Sequence, residues 1–193
     1  MAHRADEEIR RVATAIGVML LTAADILGQE DRPARRIVVS IPDRKLALVE
    51  DGRVVKIYPT AVGAPKSPSP TGSFTLVQRV PHPTWYTKGR IVPPGKTNPL
   101  GTRWMGLSVK GYGIHGTSAP ASIGRNASHG CIRMRNHDVE ELFEMVRIGD
   151  VVELHGGRNP ELDRIFGPTA ATVQVAATRL TSQALAEAAG EGQ

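Results

Sequence analysis

The chain of 193 residues has a single cysteine, Cys131, so no intrachain disulfide can brace the fold. Aromatic residues make up only 4% of it. No cluster of Lys and Arg with interleaved aromatics occurs, and this argues against nucleic acid as a partner. No internal repeat is present. Long apolar runs are missing too: Val12–Ala24 (VATAIGVMLLTAA) is halted by Asp25, too short for a good membrane-spanning helix. Against these absences, 40% of the residues are hydrophobic, enough for the core of one domain of ordinary size and too many for a disordered chain. The net charge of +5 comes from 24 basic and 19 acidic residues. A basic surface suits a polyanion such as an acidic cell-wall polymer, although without clustering its plainest account is a solvated surface.

Arg10 and Arg11 precede the apolar run, and Thr22-Ala23-Ala24 closes it with small residues. That layout predicts a signal peptide or N-terminal anchor over residues 1–24, and hence export, with possible membrane anchoring through this segment. Asp6-Glu7-Glu8 departs from the pattern by cancelling the basic charge ahead of the run. Residues 25–35, with the polar Gln29–Arg36 stretch (QEDRPARR), read as a linker.

Short β-type runs follow. Arg36–Ile41 is the first, and Lys45–Val49, with Leu46 and Leu48 at period two, is the second. Asp51-Gly52 predicts a tight hairpin into Arg53–Tyr58, because both residues tolerate positive φ. Further strands are expected at Gly72–Val77, Trp104–Val109, Tyr112–His115 and Asp150–Leu154. Pro81–Gly101 holds five prolines and reads as a long loop, suited to an insertion over a substrate groove. The clearest helix is Asn136–Ile148, with Asn136 as its cap, Val139, Leu142, Phe143 and Val146 on one face, and Gly149 as its stop. Residues 156–193 are expected to form an Ala-rich C-terminal tail. The sum predicts a mainly β fold, a sandwich or barrel with one clear helix after the cysteine.

The chemistry-bearing stretch is Ile114–Met134 (IHGTSAPASIGRNASHGCIRM). A cysteine acyl-transfer enzyme needs a thiolate, a base that generates it, and donors for a tetrahedral oxyanion. Cys131 is the candidate nucleophile. An imidazole would form a thiolate–imidazolium pair with it and later return the proton to a leaving amine. His115 and His129 are the candidate bases. His129 is only two residues away and constrained in its approach, whereas His115 ends a predicted strand and can be folded across, so His115 is favoured and His129 is assigned to the oxyanion region. Gly130 and Cys131 offer adjacent N–H donors. Arg133, two positions on in an extended segment, shares a face with Cys131 and has the fork geometry for a carboxylate. The same residues are open to two other accounts: a metal site completed by a fourth ligand from elsewhere, although the spacing is not that of a usual zinc motif, and a buried structural thiol.

Ile114-His115-Gly116-Thr117 followed by Ser128-His129-Gly130-Cys131-Ile132-Arg133-Met134 resembles the signature of the L,D-transpeptidase catalytic domain family. Ser69-Pro70-Thr71-Gly72-Ser73-Phe74 resembles that family's TPTGxF segment, with Ser69 where Thr is usual. Asn98-Pro99-Leu100-Gly101 resembles its NPLG segment, and His137-Asp138 and Gly149-Asp150-Val151-Val152 also follow the pattern. The resemblance covers residues 36–155. It implies a cysteine-dependent acyltransferase, with peptidoglycan stem peptides as donor and an amine as acceptor, and with no cofactor and no metal. In such enzymes the cysteine attacks the carbonyl on the L-centre side of a diaminopimelate residue, D-alanine leaves, and an amine resolves the thioester. Carried over, Cys131 and His115 are catalytic, Gly116 orients the imidazole, Ser128, His129 and Gly130 shape the oxyanion region, and Arg133 meets the site or a substrate carboxylate. A periplasmic or wall-associated location follows, and an unpaired thiol outside the cell then has a reason to exist. A carboxypeptidase using water at the same site, and a non-catalytic wall-binding domain, are the competing expectations.

Overall fold

The structure, a computed structural model, describes residues 34–168, 173–174 and 178–179. The predicted signal or anchor segment and most of the linker lie outside the described residues. No helix among the described residues is long and apolar enough to cross a membrane.

The expected mainly β fold is present as a curled half-barrel sheet with two α-helices packed on it among the described residues. Strands β1 (Arg35–Ser40), β2 (Lys45–Glu50) and β3 (Arg53–Pro59) form an antiparallel meander at one end of the sheet. Asp51 and Gly52 turn its second hairpin with φ of 50° and 76°, the two positive values that a tight two-residue turn requires. The remaining strands are β4 (Val62–Gly63), β5 (Gly72–Pro81), β6 (Trp85–Thr87), β7 (Arg90–Val92), β8 (Arg103–Leu107), β9 (Gly113–His115), β10 (Asn126–Ser128), β11 (Ile132–Arg133) and β12 (Val151–His155). Eight of them make the main sheet, in the order β11-β9-β8-β5-β12-β1-β2-β3. Strand β5 joins its two halves: its first residues pair with β12, and past a bulge between Leu76 and Gln78 it pairs with β8. A bulge bends a strand and raises its twist, which lets one strand serve both halves of a curled sheet.

The main core lies between the sheet and helix α1 (Asn136–Met145), where Val139, Leu142 and Phe143 pack with Ile114, Ile132, Met105 and Met134. Alternation along β1 and β2 divides their side chains between two cores. Ile37, Val39, Leu46 and Leu48 enter the main one, while Val38, Ala47 and Val49 face the other way, onto Leu162 of helix α2 (Pro160–Phe166). The chain therefore stays in the fold past the expected start of its tail. Asn159 caps α2 through the Leu162 N–H at 2.9 Å, Pro160 opens it, and Arg158 pairs with Asp43 and Asp163. The Asn-Pro-Glu start signal was there to be read before the Ala-rich stretch.

Helix α1 is shorter than expected. It ends at Met145, with Val146 already extended, because the Asp150 carboxylate accepts the Arg147 N–H at 2.8 Å and closes a turn around Gly149. Its N-cap is Arg135, without a side-chain cap bond; the Asn136 amide is used elsewhere. The Pro-rich segment is not a bare loop, since β6 and β7 form a hairpin within it.

Leu162→Ala should lower stability by about 2–4 kcal/mol, the cost of truncating a buried leucine, read as a drop in the urea midpoint at unchanged slope. A change within about 0.5 kcal/mol would mean that α2 is not part of the cooperative fold.

Candidate active site

His115 is the last residue of β9 and is buried. Strand β11 runs parallel beside β9 in a register that sets Arg133 opposite His115, and the Met134 N–H donates to the His115 carbonyl at 2.8 Å. On the other flank Arg133 exchanges both backbone bonds with Ala61, each at 2.9 Å. Cys131 immediately precedes this pinned pair. Ser128, at the end of β10, is buried and staples the turn before it: its hydroxyl donates to the Cys131 carbonyl at 2.6 Å and accepts the Gly130 N–H at 3.0 Å. The Gly130 N–H is thus already occupied, contrary to its expected role as a free donor. The Cys131 N–H has no partner among the described residues.

A cleft of about 530 Å³ gathers these groups: His115, Ser128, His129, Cys131 and Arg133 line it. Trp85, Thr87, Pro99 and Leu100, all from the Pro-rich segment, supply the rest of its wall. His129 is exposed at the rim. Arg133 has no carboxylate partner among the described residues, so its guanidinium is available to an anion entering the cleft.

The His115 Nδ1 lies 2.6 Å from the carbonyl of Gly116. A carbonyl only accepts, so Nδ1 carries the proton and Nε2 holds the lone pair that makes the ring a base. Trp104 stacks on the ring at 5.7 Å between centroids and is itself held by Gln78. Burial depresses the His115 pKa to about 4; the Gly116 carbonyl opposes the shift, Arg133 adds to it, and the Leu100 carbonyl opposes it again. Burial likewise pushes the Cys131 thiol up, partly offset by the backbone at Gly113 and by Arg133. Both shifts favour the neutral forms, a thiol at Cys131 and an unprotonated imidazole at His115. Both groups are desolvated, and desolvation penalises each charged form.

Two asparagines and a glycine of the site went unassigned in the sequence. Asn136 accepts the Thr117 N–H at 3.0 Å, fixing the backbone that follows His115 and Gly116. Gly101 and Gly116 meet so closely that a Cβ on either would fall 2.2 Å from the Asn136 amide oxygen. Asn98 is buried. The Asn-Pro turn signal at 98–99 and the resemblance to the NPLG segment both point to this stretch, without giving the side chain a role. Among the described residues, the grouping suited to a cation is Glu153, His155 and Glu161, away from the cleft. Arg36 already bridges its two carboxylates, at 2.8 and 2.5 Å.

The model of the YkuD family, the L,D-transpeptidase catalytic domain, matches residues 34–154. The chain belongs to the L,D-transpeptidase catalytic domain family. YkuD of Bacillus licheniformis, a protein named for L,D-transpeptidase activity, is 44% identical over 119 residues, which are 62% of this chain and 64% of that protein. The chain thus spans less than two thirds of that relative. YqjB of Bacillus subtilis, named for the same activity, is 34% identical over 137 residues, 68% of this chain and 77% of that protein. Among solved structures, the Ldtfm–avibactam carbamoyl enzyme superposes with a TM-score of 0.55 at 27% identity, covering 65% of this chain and 50% of that one.

In this L,D-transpeptidase domain the glycine before the cysteine is required twice over. Gly130 has φ +108°, and a Cβ there would lie 2.5 Å from Tyr112 Cε1 and 3.1 Å from the Pro68 carbonyl oxygen. Pro68 leads into the Ser69–Phe74 segment, whose Ser69 hydroxyl accepts the Gly63 N–H at 2.9 Å. Gly130→Ala should cost about 2–4 kcal/mol from the unfavourable φ and the overlap together; an unchanged melting curve would refute the close approach. His115 gives a pH signature. Its folded pKa of about 4 lies below the ordinary 6.5, so between those values the unfolded chain binds more protons. Stability should therefore fall as the pH drops from about 6.5 to about 4, by about 3 kcal/mol at about 1.4 kcal/mol per pH unit. His115→Gln should flatten that part of the stability profile; an equal slope in both proteins would contradict the burial of an unprotonated ring.

Proposed function

We propose that this protein is an L,D-transpeptidase acting on the stem peptides of bacterial peptidoglycan, through a thioester on Cys131. The reading is carried by one arrangement: Cys131 and a neutral His115 share one cleft with an unpaired Arg133, and Nδ1 of the imidazole is already committed to the Gly116 carbonyl. As Sγ attacks the donor carbonyl on the L-centre side of diaminopimelate, its proton passes to Nε2, so thiolate and imidazolium form only in the presence of substrate. The Cys131 N–H is the donor left on this segment for the oxyanion. Collapse of the tetrahedral adduct breaks the bond to D-alanine, and the imidazolium returns the proton to the departing amine. An amine acceptor then attacks the thioester, loses its proton to Nε2, and frees the Cys131 thiol. Arg133 holds a carboxylate of the stem. Ser128 fixes the Gly130-Cys131 turn, and His129 contacts substrate from the rim. Residues 1–24 direct export or anchor the chain, and the enzyme works in the periplasm or at the wall.

A disaccharide tetrapeptide incubated with the protein should yield D-alanine together with a thioester adduct or crosslinked dimer. Cys131→Ala should abolish both, and His115→Ala should lower turnover by about 10²–10⁴-fold, followed by intact mass and product chromatography. Product that rises with added amine identifies transpeptidation; release at the same rate without any amine identifies hydrolysis. A folded protein with an intact thiol that forms no adduct would defeat the acyl-transfer reading, and wall binding that survives Cys131→Ala would then favour a non-catalytic domain. Ldtfm forms a carbamoyl enzyme with avibactam, and the same reagent should modify Cys131 here.

A further inference from the structure

One buried side chain gathers several stretches of the cleft wall that the Pro-rich segment builds. Asn98 is fully buried. Its Nδ2 lies 2.8 Å from the Pro83 carbonyl, 3.1 Å from that of Val92 and 3.2 Å from that of Pro93. Pro83 precedes β6 and Val92 ends β7, so one amide group ties both feet of the hairpin. Its Oδ1 accepts the Leu100 N–H at 2.8 Å. Leu100 lines the cleft, and its carbonyl is near enough to favour protonation of His115. The next residue, Gly101, packs directly on Gly116, whose carbonyl holds the imidazole. Each buried polar atom of Asn98 is therefore spent on one of two tasks: its donors on the substrate wall, its acceptor on the segment beside the base. Leaving the buried Pro83 or Val92 carbonyl unpaired is costly, so the two tasks are mechanically joined.

We infer that Asn98 is a positioning residue that couples the β6–β7 wall of the cleft to the His115 imidazole, setting donor-peptide binding and base orientation together. This rests on the proposed acyl transfer for its kinetic consequence, but not for the clamp itself. Asn98→Ala removes both Nδ2 donors and the Oδ1 acceptor. Asn98→Asp keeps the acceptor for Leu100 but turns an oxygen toward three carbonyls. With the wall released, Trp85 and Thr87 no longer confine the donor, and water reaches the imidazole.

The test uses the full chain and the disaccharide tetrapeptide. The unaltered protein is first checked for its Cys131 adduct by intact mass. In Asn98→Ala, folded at the assay temperature by circular dichroism, KM should rise at least tenfold and kcat fall at least tenfold. The acidic limb of its kcat/KM profile should move up from about 4 toward 6.5, as the ring regains solvent. Asn98→Asp should keep more of kcat than Asn98→Ala while sharing its raised KM. A folded Asn98→Ala with unchanged constants and an unmoved acidic limb overturns the inference, even if its melting temperature is lower. Amide exchange on the unaltered protein is the second measurement and decides the matter if neither variant folds. The hairpin amides and the Leu100 amide should share one level of protection; hairpin amides exchanging a hundredfold faster than Leu100 overturn the clamp. Failure of the unaltered protein to form any adduct counts against the proposed function, while the clamp still stands or falls on the exchange result.

Discussion

Strand β11 is held to β9 by a parallel pairing only two residues long, Ile132 against Ile114 and Arg133 against His115. The placement of His115, Arg133 and the Cys131 that precedes this strand depends on that register. Slipping it by one residue would turn Arg133 and His115 to opposite faces and swing the preceding Cys131 away from the cleft. So short a ladder is weak by itself. Its stability comes from elsewhere: Ala61 closes the other edge of Arg133, Met134 bonds back to His115, and Ile114, Ile132 and Met134 are buried against α1. The hydrophobic core thus serves the site directly, since the apolar residues that alternate with the site residues anchor the strands carrying them.

The same burial governs the electrostatics. Burial of the thiol and the imidazole in the cleft raises one pKa and lowers the other, which disfavours the charged form of each. Arg133 acts on both groups at once, favouring the thiolate and disfavouring the imidazolium.

Backbone packing around the site explains residues that carry no chemistry. Gly116 and Gly101 touch because nothing larger fits beneath the Asn136 amide, and Gly130 lies against Tyr112. Asn136 and Asn98 sit on opposite sides of this junction, each spending side-chain hydrogen bonds on backbone that has no ladder partner. Such bonds are how irregular segments stay buried without orphaned polar groups.

Local pattern in the sequence was sufficient for the strand series, the Asp51-Gly52 turn and the apolar face of α1, because period, turn chemistry and amphipathicity are properties of neighbouring residues. The His-Gly and Ser-His-Gly-Cys segments named the chemical groups and the family for the same reason. Local pattern failed where a distant competitor intervened. Asn136, a good cap by type, was drawn off to Thr117; α1 stopped early because Asp150 captured Arg147; Gly130 lost its free N–H to Ser128. The tail was misjudged at Asn159–Phe166, where composition hid a helix whose worth lies in covering the second face of β1 and β2. What only the tertiary structure decided is the burial of His115 and the half-burial of Cys131, the part of the cleft that Trp85, Thr87, Pro99 and Leu100 line, and the burial of Asn98 among the carbonyls of that segment. Each is set by which groups are removed from water together, and that is a matter of three-dimensional packing among segments up to fifty residues apart that no single stretch of sequence contains.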